Sequence, residues 1–137
     1  MIFVDTGAWI ALTDKSDRYH QDARAIYERL KLQRRRLVTT DYILDETVTR
    51  LRYDSGHSAA VRFLDRVGAS ERTGVLRLIS IAPAIFQSAV TLFRQYDTAL
   101  VSLTDCISFV VCEQYQITEA FAFDQHFLMR SVVLCTR

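Results

Sequence analysis

Four acidic residues stand where an acid is costly. Asp5 ends the apolar run IFVD, and Asp124 ends FAFD. Asp105 opens an apolar helical stretch in SLTD, and Glu46 lies between apolar turns in DYILDETV. A buried carboxylate without a partner is expensive. Several in one low-dielectric pocket also repel one another. If Asp5 and Asp124 come from neighbouring parallel strands, both lie along the sheet edge where ligands bind, and the start of the Asp105 helix can approach them. No histidine or lysine stands at these motif positions to balance the charge. A hard divalent cation would, because Mg²⁺ and Mn²⁺ take oxygen ligands. Ions held this way suit phosphodiester cleavage, polarising a water and stabilising the leaving oxygen. Each acid also has a bland reading. Asp5 and Asp124 can serve turns, Asp105 can complete a capping box with Ser102, and Glu46 can face solvent, as its neighbour Asp45 is expected to. The conjunction carries more weight than any one of them.

The elements that must position these acids follow from periodicity. IFVD predicts a short buried strand, and TGAWIALTD a turn or two of helix. Residues 17–34 predict a helix with Asp17 as its cap and Ala23, Ile26, Tyr27 and Leu30 inward. RLVTT predicts a second strand. Residues 41–54 predict a helix with Ile43, Leu44, Thr47, Val48 and Leu51 on one side, and 57–68 another with Val61, Phe63, Leu64 and Val67. Gly68 and Gly74 are expected to bracket a turn. VLRLISI alternates like a strand. Pro83 suits the first turn of a helix running to about Tyr96, with Ile85, Phe86, Ala89, Val90 and Phe93 inward. SLTDCISFVVCEQYQ is helical and apolar nearly all round, hence deeply buried. EAFAFD predicts a strand ending in Asp124, and SVVLC a last one. Strands alternating with helices imply an α/β domain with a mainly parallel sheet and right-handed crossovers.

The bulk numbers agree with one packed domain over residues 1–137. Half of the 137 residues are hydrophobic and a quarter charged, enough for a core and too apolar for disorder. A net charge of +1 excludes a strongly cationic nucleic-acid binder. Cys106, Cys112 and Cys135 lack zinc spacing and read as reduced core residues of a cytoplasmic protein. No signal peptide or membrane-length apolar run is found.

At these residues the sequence resembles the PIN-domain family. IFVDTGAWIAL resembles the family's opening strand, Asp and hydroxyl residue. VTTDYILDETVTRLR resembles its second motif, in which the helical Glu is the acid. SLTDCISFVVCEQYQI resembles the third, and EAFAFDQHF the last, over nearly the whole chain. The resemblance implies a Rossmann-like three-layer α/β/α fold and a Mg²⁺- or Mn²⁺-dependent ribonuclease. Asp5, Glu46, Asp105 and Asp124 would form the acidic site, with Asp5 and Asp105 as direct metal ligands. For Glu46 and Asp124, binding through water, holding a second ion and orienting the attacking water stay open. Thr6 would fix Asp5 or a water with its hydroxyl. The family often has Thr or Ser two residues before the last Asp; here Ala122 removes that hydroxyl. Small members are often toxins of the VapC kind in type II toxin–antitoxin pairs, which implies an antitoxin partner and a homodimer.

Other features weigh less. KLQRRR (residues 31–36) reads as a solvated helix end before it reads as a phosphate contact. Arg50, one turn after Glu46, could steer a phosphate or pair with that acid. His126 is read as a surface or substrate-edge residue outside the acidic set, His20 and His57 as exposed, and Trp9 and Phe93 as core or dimer contacts. Two other functions compete. A non-catalytic PIN-like module would bind RNA or protein without cutting. A phosphatase or receiver domain would need a second acid after Asp5, or a lysine after a late strand, and neither is present.

Overall fold

The computed structural model describes residues 1–136. Five strands form one sheet, β1 (Ile2–Val4), β2 (Leu37–Thr40), β3 (Leu76–Ile79), β4 (Glu119–Phe121) and β5 (Val133–Leu134). Every pairing is parallel, in the order β3-β2-β1-β4-β5. Parallel strands are covered on both faces and so read as unbroken apolar runs. β1 and β2 fit this, each residue being buried. Six α-helices connect the strands: α1 (Thr6–Thr13), α2 (His20–Leu32), α3 (Asp41–Ser55), α4 (His57–Arg72), α5 (Pro83–Gln95) and α6 (Leu103–Gln114).

The strand order decides where a site can form. The chain steps outward from β1 to β2 to β3, then returns across the sheet to β4 on the other side of β1. With right-handed crossovers, that reversal moves the connecting helices to the opposite face. The packing follows, since α1 meets α2 and α3, α3 meets α4, and α5 pairs with α6. The carboxyl ends of β1 and β4 therefore flank the point where the winding direction switches, the position at which open α/β sheets bind ligands.

Both helical layers are anchored to β1. On the α1–α4 side the Trp9 ring meets Phe63 edge-on at 5.7 Å. The Trp9 Nε1–H donates to Thr39 Oγ1 at 3.4 Å, and that hydroxyl donates to the Val4 carbonyl at 3.0 Å. Elsewhere Phe127 packs on Phe3 at 5.8 Å and perpendicular to Phe109 at 5.3 Å. Trp9 thus belongs to the core, and the three cysteines are free and buried, with burial pushing the Cys112 thiol up to about 12.

Several expected boundaries shift for physical reasons. Asp17 does not cap α2; it orders the turn before it by accepting the Tyr19 N–H at 2.9 Å. α4 runs through Gly68 to Arg72, and the turn comes at Gly74, whose φ of +78° favours glycine. Phe93, expected inward, is 44% exposed, and Val61 and Leu64 also face outward. β4 stops at Phe121, so Asp124 lies beyond the strand in the turn that follows.

Candidate metal centre

Asp5 sits at the carboxyl end of the central strand and is only 7% exposed. Its backbone holds the junction together. The Asp5 N–H donates to the Phe121 carbonyl at 3.1 Å, linking the ends of β1 and β4, and its carbonyl accepts from Ala8 and Trp9 at the start of α1. The side chain makes no capping hydrogen bond, so the turn-capping reading fails. Burial pushes the Asp5 carboxyl up to about 7, and the nearby charges of Asp105, Glu46 and Asp124 add to it; the Thr6 N–H partly opposes the rise. The three other acids therefore all act on Asp5.

Asp105 is delivered by a capping box. Ser102 Oγ accepts the Asp105 N–H at 3.0 Å, and Asp105 Oδ2 accepts the Ser102 N–H at 3.0 Å. The capping role and the place in the acidic group coexist. Residues 106–112 of α6 are all buried, which fixes the helix and hence the direction of its first turn.

Glu46 comes from α3, whose N-terminus is capped by Thr40 Oγ1 accepting the Ile43 N–H at 3.1 Å. Ile43, Thr47 and Leu51 bury the inner face of α3 and leave Glu46 half-buried at its margin, while Asp45 is exposed as expected. Burial raises the Glu46 carboxyl, with Asp105 and Asp45 adding to the effect, and the Arg50 charge opposes it. Arg50 acts on Glu46 through its charge alone, with no ion pair between them among the described residues. The Thr6 hydroxyl also lowers Glu46, yet Thr6 Oγ1 is fully buried without a hydrogen bond of good geometry. The interaction is one of proximity, and it leaves a buried polar atom facing this group of acids.

Asp124 caps a 3₁₀ turn over Gln125–Arg130 by accepting the His126 N–H at 2.9 Å. Phe123 stacks on Tyr19 at 4.4 Å with rings 2° apart, and the Arg18 guanidinium lies 4.5 Å over the outer face of Tyr19. Together with buried Phe127, this stack fixes the turn from both sides. The turn also brings in a residue that the sequence reading set aside. His126 Nδ1 lies 3.0 Å from Asp124 Oδ1, and single ligand atoms of Asp105, Asp124 and His126 all fall within 4.8 Å of one another. The signal for it was the two-residue spacing from Asp124, which is legible only once a 3₁₀ turn is known to follow. His20 and His57 are engaged elsewhere, on the Ala11 carbonyl and Arg52. The KLQRRR segment is a helix end, with Lys31 on Glu28 and Arg35 on Glu119 at 2.7 Å.

The donor set is carboxylates, one hydroxyl and one imidazole, without a lysine or arginine salt-bridged to Asp5, Asp105 or Asp124 among the described residues. A nearly buried carboxylate beside three others and an unpartnered hydroxyl fits a hard divalent ion. A groove of about 610 Å³ between α1, α2 and α4, lined by residues including Trp9, His20, Arg24, Arg62, Phe63 and Arg66, contains none of these acids.

Comparison with known proteins places these features in context. The PIN domain profile matches residues 2–130. The chain is 31% identical over 127 residues to the 23S rRNA-specific endonuclease VapC20 of Mycobacterium tuberculosis, covering 93% of this chain and 92% of that protein. It is also 31% identical over 132 residues to a VapC ribonuclease of Archaeoglobus fulgidus, covering 94% of this chain and 80% of that one. The crystal structure of M. tuberculosis VapC20, described as a sarcin–ricin loop cleaving toxin, superposes with a TM-score of 0.82 at 30% identity over 97% of both chains.

Proposed function

Because this chain belongs to the PIN-domain family, we propose that it is a Mg²⁺- or Mn²⁺-dependent ribonuclease, the toxin of a toxin–antitoxin pair. The observation that carries the reading is the gathering of Asp5, Glu46, Asp105 and Asp124 at the switch point, where each of the others raises the carboxyl of Asp5. The names of the relatives, VapC20 endonuclease and VapC ribonuclease, support the same activity here.

In this reading Asp5 and Asp105 would hold the ion, with Asp105 kept in place by its bond from the Ser102 N–H. A divalent ion, when bound, neutralises the carboxylates and the substrate phosphate and makes a water a better nucleophile. Glu46, with its carboxyl raised by burial, accepts the proton of the attacking water. Thr6 orients that water or the Asp5 carboxylate with its hydroxyl. Asp124 completes the far side. An RNA-binding module without catalysis has no use for a nearly buried carboxylate surrounded by like charges.

Asp5→Asn tests the proposal. The variant should keep its circular dichroism spectrum and lose at least about a hundredfold in cleavage of total RNA, beyond the cost of removing a secondary partner of a bound ion. Cleavage by the folded variant at the wild-type rate, or full wild-type activity in excess chelator, refutes it. The antitoxin and the homodimer belong to the same proposal. A small DNA-binding protein encoded in the adjacent reading frame, and a two-chain mass by light scattering, are the expected findings.

A further inference from the structure

We propose that His126 is a nitrogen ligand of the ion position it shares with Asp105 and Asp124, and that it makes this protein bind Mn²⁺ in preference to Mg²⁺. The inference rests on the metal-dependent reading above and adds a ligand and an ion preference to it.

Geometry supplies the first argument. His126 is not a side chain that happens to pass near an acid. Its backbone N–H is bound by Asp124 Oδ1 at 2.9 Å, its ring Nδ1 lies 3.0 Å from the same oxygen and 3.2 Å from Oδ2, and Phe127 is fully buried beside it. The imidazole is therefore held on the acidic edge by the turn itself. Neighbouring ligands on an octahedral ion with bonds of about 2.1 Å stand roughly 3.0 Å apart, and opposite ones roughly 4.2 Å. The ligand atoms of Asp105, Asp124 and His126, all within 4.8 Å of one another, can close onto one small ion by side-chain adjustment.

A second observation ties this position to the rest of the acidic group. Thr6 Oγ1 is buried without a good hydrogen-bond partner and acts on Glu46. Asp105 acts on both Asp5 and Glu46, and it is also the acid grouped with Asp124 and His126. Asp105 thus joins the carboxylate side of the cup to the imidazole side.

Chemistry supplies the preference. Mg²⁺ binds oxygen almost exclusively and keeps several waters. Imidazole suits transition ions, and affinity at mixed nitrogen–oxygen sites rises from Mn²⁺ along the first row. A cup of carboxylates alone discriminates weakly between Mg²⁺ and Mn²⁺; one nitrogen donor shifts the balance to Mn²⁺.

The test uses the full chain with Mn²⁺ as the probe. Pulsed electron paramagnetic resonance on the Mn²⁺-loaded protein should show modulation from a directly bonded imidazole nitrogen. That signal should change when histidine is labelled with ¹⁵N and vanish in His126→Gln, while His20→Gln leaves it intact. In competition titrations the Mn²⁺/Mg²⁺ affinity ratio should fall in His126→Gln by at least about tenfold, the lower end of what losing a partner of a bound ion costs. Mn²⁺ uptake by the wild-type protein without nitrogen modulation overturns this inference and leaves the metal-dependent reading standing. Failure to take up either ion overturns both. The wild-type spectrum is decisive even if the variant does not fold.

Discussion

Asp5 is a residue whose environment works against its own ionisation. Its carboxyl, pushed up to about 7 by burial and by Asp105, binds a proton more tightly in the folded than in the unfolded chain. Without divalent ions, its contribution to stability is therefore fully present below about pH 4 and is lost as pH rises through about 7. The cost at high pH is roughly 4 kcal/mol at most. Urea unfolding in excess chelator should show Asp5→Asn gaining stability over wild type at pH 8 and little or none at pH 4. An equal difference at both values would mean that the Asp5 carboxyl is not perturbed. Glu46, also raised by burial, pushes in the same direction. At this scale the sequence announced Asp5 and Asp124 by the apolar runs they follow, Asp105 by its place at a helix start, and Glu46 by the apolar turns around it. It did not announce His126, because QHF spells no regular element and the 3₁₀ turn that swings the ring back onto Asp124 comes from the burial of Phe127. Nor did it announce that Thr6 would lack a partner.

Elements aim the acids. The capping box at the start of α6 gives Asp105 two roles, and they can be separated. Ser102→Ala removes the acceptor for the Asp105 N–H and should lower stability by about 1 kcal/mol. Ser102→Asn should restore most of it by capping the same N–H. A drop much below 0.5 kcal/mol in chemical denaturation would show that the cap is dispensable and that the buried face of α6 alone sets its first turn. Elements were legible where one period dominated, as in the continuous apolar run of β1 or the capped, nearly all-apolar α6. They blurred where tertiary packing overrode a local signal. Gly68 looked like punctuation but lies inside α4, where its cost of about 1 kcal/mol is offset by the burial of Phe63 and Val67 on the same helix. Phe93 continued the apolar pattern of α5, yet only Ile85 and Ala89 of that helix are buried.

On the scale of the whole molecule, the burial and mutual repulsion of these acids cost stability, and on the metal-dependent reading a bound ion offsets that cost. Anything that binds only the folded state stabilises it by about 2.7 kcal/mol at a hundred times its dissociation constant. Adding Mn²⁺ should raise the melting temperature in a concentration-dependent way, and chelator should reverse the rise. In Asp105→Asn the effect should shrink sharply. A melting temperature indifferent to Mn²⁺, Mg²⁺ and chelator would mean that no ion is bound there. The α/β class and parallel sheet were readable from the alternation of elements; the strand order was not, because no local pattern reveals that β4 pairs with β1.

That pairing has a consequence for timing. Ile2 lies opposite Glu119 in the sheet, so Asp5 and Asp124, far apart along the chain, meet only once β1 has paired with β4. Contacts between such distant segments form late and slowly. On the reading proposed above, a chain whose fold has grown only as far as β3 holds half a cup and has no site to cut with; nuclease capacity arrives with the last pairing of the sheet, not with any one strand.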